Sequence, residues 1–340
     1  MRYPESLKQG GRIGFIAPSY GCATQPYAAR YENAISKFRS MGYEIVEGPN
    51  TRSAVGIGKS NTPKACGDEI NMFFTEDRSD VIFSCGGGEL MCEDLPYVDF
   101  EAIKKADPKW FIGYSDNTNL TFLLPTLCDM AAIYGPCASD FGMNPWHKSI
   151  SDAFSVITGT KSTFTNYDGW EKEWPERETN PLAPYNITEK YSQKIYDGNE
   201  AHFEGRLIGG CLDCLVNFVG TKFDKVKDFC EKYKDDGIIW FLESCDLNVM
   251  SMRRALWLLS QAGWFKYVKG FIIGRPLHHD EDFDGFTPYE AFTGILSEYN
   301  APIVYDIDLG HLSPMIPFVS GAYGHIDAEG NEFTVKMDFK

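Results

Sequence analysis

The chain has no run of roughly 18 or more consecutive apolar residues, the length a membrane-spanning helix needs, so no such span is expected. Its first residues, Met1-Arg2-Tyr3-Pro4-Glu5-Ser6, lack the apolar stretch of a secretory leader, and a cytoplasmic location is the expectation. Basic charge is scarce. The 32 Lys and Arg stand against 48 Asp and Glu, a formal net charge of −16. Nucleic acids and anionic membranes are recognised by basic patches, so neither is expected as a partner. Cysteine is plentiful, with ten residues, but scattered. The one close pair, Cys211-Leu212-Asp213-Cys214, lacks the second pair that a zinc site requires, and reduced thiols packed in the core are the better reading.

What is present is a soluble-type composition, with 43% hydrophobic residues over 340 positions, enough for two domains. Short apolar runs alternate with amphipathic stretches. Strands are expected at Ile13–Ala17, Tyr43–Val46, Val81–Ser84, Trp110–Tyr114 and Ala131–Tyr134. Between them, helices are expected over Tyr27–Ser40, about residues 62–75 and about Asn117–Cys128. This alternation predicts an α/β fold with a parallel sheet. Residues 138–202, rich in Trp, Pro and polar side chains, read as a long insertion that either binds something or is a bare surface excursion. The second half starts near residue 203. It places strands at Gly205–Gly210, Gly237–Leu242, Phe271–Gly274 and Pro302–Tyr305, a helix at Ser251–Ala262, and antiparallel hairpins from Phe318 to Phe339. The expected division is 1–137, 138–202 and 203–340.

Several patterns could carry chemistry. Gly113-Tyr114-Ser115-Asp116-Asn117 follows a buried strand and precedes a helix, the setting of a nucleophile elbow. Ser and Asp are also common helix caps, so the pattern needs partners to count. Gly86-Gly87-Gly88 could aim backbone N–H groups at an oxyanion, or be a tight turn. Among the six histidines, His311 sits in a loop just past a strand, where functional residues collect. Glu243 ends an almost wholly apolar strand, and a carboxylate there either orients a base or pairs with Arg253 or Arg254. His278-His279-Asp280-Glu281-Asp282 could bind a metal, though adjacent side chains diverge and a solvated acidic loop fits better. Gly56-Ile57-Gly58-Lys59-Ser60 suggests a phosphate-binding loop, but the required Gly is Ser53 and no strand precedes it.

Taken in order, Ile16-Ala17-Pro18-Ser19, Gly86-Gly87, Pro96-Tyr97-Val98-Asp99, Gly113-Tyr114-Ser115-Asp116, Tyr134-Gly135-Pro136, Gly205 to Cys211, Phe241-Leu242-Glu243 and Gly310-His311 resemble the LD-carboxypeptidase family of serine peptidases. The resemblance implies a flavodoxin-like N-terminal domain, a smaller C-terminal α/β domain, an active site between them and a homodimer, with no metal or cofactor. It implies Ser115 as nucleophile, His311 as general base and acid, and Glu243 as the residue orienting His311. Gly87, Gly88 and Asp116 would supply the oxyanion hole, and Gly86, Trp170 and Trp174 would contact substrate. Muropeptide-cleaving members, which release a terminal D-alanine in murein recycling, tend to carry Arg-Gly-Gly-Tyr-Gly where this chain has Cys85-Gly86-Gly87-Gly88-Glu89. The Trp-bearing insertion looks more like the microcin C immunity branch, which cuts an amide between an amino acid and a nucleotide and stacks Trp on the base. A small peptide or aminoacyl-nucleotide is therefore the expected substrate, and a non-catalytic small-molecule binding protein the alternative of another class.

Overall fold

The computed structural model describes residues 1–173 and 179–340. The chain divides into two compact units. One comprises residues 1–161 with 173–186, the other 162–172 with 187–340. The segment 138–202 is thus shared out between both.

The first unit carries a parallel sheet of β1 (Arg12–Ile16), β2 (Glu44–Glu47), β3 (Val81–Ser84), β4 (Trp110–Gly113) and β5 (Ala132–Tyr134). They lie in the order β5-β4-β3-β1-β2. Strands β3 and β4 are buried along their whole length, as parallel strands covered on both faces must be. Successive residues of β3 face opposite ways. Ile82 joins Ile16, Ile70, Phe73, Phe74 and Phe111 in one core. Phe83 meets Phe15, Phe38 and Phe141 in edge-to-face contacts on the other. Helix α1 (Tyr27–Ser40) buries Tyr31, Ala34, Ile35 and Phe38, the stripe its spacing predicts. Helix α2 (Pro63–Thr75) starts where Thr62 accepts the N–H of Ala65 and Pro63 fills the first position. Helix α3 (Phe100–Lys105) follows.

The single helix expected over Asn117–Cys128 is instead three pieces. A 3₁₀ turn at Ser115–Asn117 leads into α4 (Thr118–Thr121) and α5 (Leu123–Cys128). Pro125 explains the break: it has no N–H for the Thr121 carbonyl, and its ring crowds that turn. Helix α6 (Lys148–Ile157) completes the unit.

The second unit is built on an eight-stranded mixed sheet. Its strands are β6 (Thr163–Thr165), β9 (Lys194–Ile195), β10 (Glu200–Cys211), β11 (Ile238–Glu243), β12 (Val268–Gly274), β13 (Ile303–Ile307), β15 (Tyr323–Glu329) and β16 (Glu332–Asp338). A separate two-stranded pair joins β7 (Gly169–Trp170) to β8 (Glu189–Lys190), and β14 is the short strand Phe318–Ser320. The central run β10-β11-β12-β13 is parallel. The expected hairpin is β15–β16, turning at Gly330. Strand β10 is longer than expected because its first half pairs antiparallel with β15 and its second half pairs parallel with β11. Helices α7 (Leu212–Leu215), α8 (Val226–Lys232), α9 (Val249–Gln261) and α10 (Pro288–Leu296) connect the strands. In the β10–β11 register Cys211 stands beside Glu243, so both strands end level.

Candidate active site

In the first unit, β4 ends at Gly113 and the chain turns sharply. Ser115 takes φ 63°, the left-handed region that a non-glycine residue rarely occupies. The turn is pinned from several sides. The N–H of Ser115 donates to the Tyr134 hydroxyl at 3.2 Å, and the Thr118 hydroxyl donates to the Ser115 carbonyl at 2.7 Å. The Asn117 amide donates to the carbonyls of Tyr114 (3.0 Å) and Gly86 (2.9 Å), tying the elbow to the glycine turn. Asn117 thus has its own work at the position where the usual elbow has a second glycine. Gly87 passes close to the nucleophile candidate: a Cβ there would lie 3.1 Å from both Cβ and Oγ of Ser115. Among the described residues, the N–H groups of Gly87, Gly88 and Asp116 have no acceptor. The Asp116 side chain faces inward, where its carboxylate accepts the Ser19 hydroxyl at 2.5 Å and the Met91 N–H at 3.0 Å. Burial raises its pKa and those bonds oppose the rise.

In the second unit, Glu243 closes β11 and His311 lies on the loop after β13. Their side chains meet, with Nδ1 of His311 2.9 Å from Oε2 of Glu243. Glu243 is 0% exposed and His311 is 9% exposed. Gly310, at φ 102°, makes room for the pair, since a Cβ there would lie 2.6 Å from the Glu243 Oε2. Burial alone would lower the imidazole pKa, but the Glu243 carboxylate and the Cys245 thiol outweigh it and hold the pKa well above the usual histidine range. The anticipated rival for Glu243, an ion pair with Arg253 or Arg254, is not what the carboxylate faces: Arg253 donates to the carbonyls of Glu290 and Ala291.

The remaining candidates are placed as follows. Trp170 is buried, with the Arg275 guanidinium 4.3 Å over its ring and His279 edge-on at 5.2 Å. These groups belong to a cavity of about 740 Å³ in the second unit, which Lys194, Tyr289 and Tyr305 also line. Trp174 lies outside the described residues. His278 turns to Glu281 at 2.8 Å while its neighbour His279 packs on Trp170, so the two rings serve different partners. All ten cysteines are free thiols. In the sequence Tyr134 stood out only as the end of a strand and part of a family motif, with no sign that its hydroxyl accepts the Ser115 N–H. Asp213 was visible only as a residue between two cysteines and Cys245 as an isolated thiol, and no local signal marks the bonds from the N–H groups of residues 245–247 to the Asp213 carboxylate.

The chain matches the LD-carboxypeptidase N-terminal domain over residues 13–135 and the LD-carboxypeptidase C-terminal domain over residues 204–326. It is 27% identical over 347 residues to the microcin C7 self-immunity protein MccF of Escherichia coli, covering 98% of this chain and 95% of that protein. It is 24% identical over 333 residues to a Bacillus subtilis protein named as a probable murein peptide carboxypeptidase, covering 94% of this chain and 89% of the relative. The solved structure of MccF in complex with aspartyl sulfamoyl adenosine has the same fold, with a TM-score of 0.80 at 24% identity, covering 99% of this chain and 98% of that one.

Proposed function

The chain belongs to the LD-carboxypeptidase family and is a serine-type carboxypeptidase, and on that premise we propose that it hydrolyses an amide through Ser115, His311 and Glu243. The observation that carries the proposal is the buried Glu243–His311 pair at 2.9 Å. A buried carboxylate on Nδ1 fixes the imidazole tautomer and leaves Nε2 to act on a serine, the division of labour of a triad. The strained turn at Ser115 supports the nucleophile assignment, because such strain persists where the surrounding structure enforces it.

In the proposed reaction, Nε2 of His311 takes the Ser115 hydroxyl proton as Oγ attacks the scissile carbonyl. The N–H groups of Gly87, Gly88 and Asp116 stabilise the oxyanion, each worth about 3–4 kcal/mol in comparable sites. His311 passes its proton to the leaving nitrogen, the C–N bond breaks and an acyl-enzyme remains. Water, deprotonated by His311, then attacks the ester, releases the acid and restores Ser115.

An aminoacyl-nucleotide is the substrate we favour. Support comes from the complex of MccF with aspartyl sulfamoyl adenosine and from the cavity beside Trp170, where aromatic rings adjoin Lys194 and Arg275. The rings suit a base, and an anionic linker would have to share Lys194 and Arg275 with Asp306 and Asp308, which they already face at 3.1 and 3.6 Å. Arg275 already covers one face of Trp170, so a base would have to use the rest of the ring. Gly86 would shape the acyl side. The second reading is a muropeptide ending in D-alanine, favoured by the name of the Bacillus subtilis relative. Incubation with an aminoacyl sulfamoyl adenosine and with a muropeptide tetrapeptide, followed by mass spectrometry, separates the two. Release of amino acid from the first supports the favoured substrate, and release of D-alanine alone selects the second. We also propose a cytoplasmic homodimer, which sedimentation of the purified protein and cell fractionation test.

A further inference from the structure

We infer that Asp213 is a positioning residue for the Glu243–His311 pair, holding the segment that leaves Glu243. The inference rests on the roles proposed above for those two residues. Strand β10 ends at Cys211 level with Glu243, so the first turn of α7 brings Asp213 to the exit of β11. There one carboxylate collects five donors, the Cys211 thiol at 3.5 Å among them. Its Oδ2 accepts the Cys245 N–H at 3.1 Å and the Ser244 hydroxyl at 3.2 Å. Its Oδ1 accepts the N–H groups of Asp246 at 2.7 Å and Leu247 at 3.1 Å. Three successive backbone N–H groups turned to one point form a nest, a concavity that binds anions. Here the chain fills it with its own carboxylate.

The consequence is a segment fixed along its length. Glu243 anchors it in the sheet, and the Ser244 carbonyl accepts the N–H of Leu277 at 3.0 Å. Asn248 closes it by capping α9 through the N–H of Ser251. Cys245, so held, is half-buried, and its electrostatic coupling to His311 raises the imidazole pKa. The carboxylate that orients the imidazole is therefore fixed from both directions, by the β11 ladder before it and by the Asp213-anchored segment after it. An amide cannot replace the carboxylate: Asn offers one acceptor oxygen, and its NH₂ would face N–H donors.

The test compares Asp213→Asn with wild type and with His311→Ala, on whichever of the two substrates turns over. The expected result for D213N is a fall in kcat of about tenfold to a hundredfold with KM within about threefold, because the base is displaced and substrate contacts are not. A downfield proton resonance from the His311 Nδ1–H is expected in wild type and should broaden or vanish in D213N. Hydrogen exchange on the unmodified protein serves even where D213N does not fold: the amides of Cys245, Asp246 and Leu247 should be protected as well as those of β11. A folded D213N with kcat within about twofold of wild type, beside an inactive His311→Ala, overturns the inference and leaves the triad standing. Rapid exchange of the three amides overturns it as well. An active His311→Ala removes the triad reading instead, and the resonance and exchange results still decide what Asp213 holds.

Discussion

At the scale of single residues, the missing side chains of Gly87 and Gly310 and one charge pair shape the proposed site. Gly310→Ala would drive a methyl into the Glu243 carboxylate and strain a backbone at φ 102°. Turnover should fall by about a hundredfold and the melting temperature should drop as well, as steady-state kinetics run well below that melt and a thermal melt would show. The pair also fixes a pH dependence. A general base must be neutral, and Glu243 with Cys245 holds the His311 pKa above the usual value despite burial. The acid limb of kcat/KM should therefore lie above about pH 6.5. Glu243→Gln removes the raising charge and leaves burial, so the limb should move to lower pH even as the rate drops; a limb that stays put contradicts the assignment. Asp94 offers an independent check. It is fully buried, and burial pushes its pKa up to about 8, with Lys59 only partly opposing. The native state then keeps a proton that the unfolded chain loses near pH 4, so stability falls as pH rises between those values. Asp94→Asn lacks that loss. Its advantage over wild type in urea unfolding should grow from pH 5 to pH 8 and level off above.

At the scale of elements, the sequence was most legible where one pattern dominates. Helix α1 shows its buried stripe directly, and Thr62-Pro63 announces α2. Thr62→Ala should cost about 0.5–2 kcal/mol in denaturant unfolding with no change in activity, since the cap satisfies an N–H far in sequence from the elbow. The break at Phe122 was readable in principle from Pro125, which leaves the Thr121 carbonyl without its helical donor. Strand β10 was only half legible: its partner β15 lies more than a hundred residues away, and no local signal announces such a pairing. The same limit hid the Asp213 nest. Hydrogen bonds from residues 244–247 to residue 213 depend on the β10–β11 register, which sequence spacing does not reveal.

At the scale of the whole molecule, the two units divide the proposed labour. The first carries Ser115, Gly87, Gly88 and Asp116, the proposed nucleophile and oxyanion donors, and the second carries Glu243 and His311, the proposed acid–base pair. Strand alternation predicted the parallel sheet, but roles for Ser115, Glu243 and His311 came from family resemblance, because residues 128 and 68 positions apart have no shared local pattern. The structure adds the burial and contact of Glu243 with His311 and the strain at Ser115. The central claim is that Ser115 carries the acyl group. Its most direct test is rapid quenching of wild type and Ser115→Ala with an aminoacyl sulfamoyl adenosine or a muropeptide tetrapeptide, with intact-mass and peptide mapping. The account predicts an acyl adduct on the Ser115 peptide of wild type and a loss of turnover of at least about a thousandfold in the variant. Turnover by Ser115→Ala at the wild-type rate, or an adduct mapped to another residue, would contradict it.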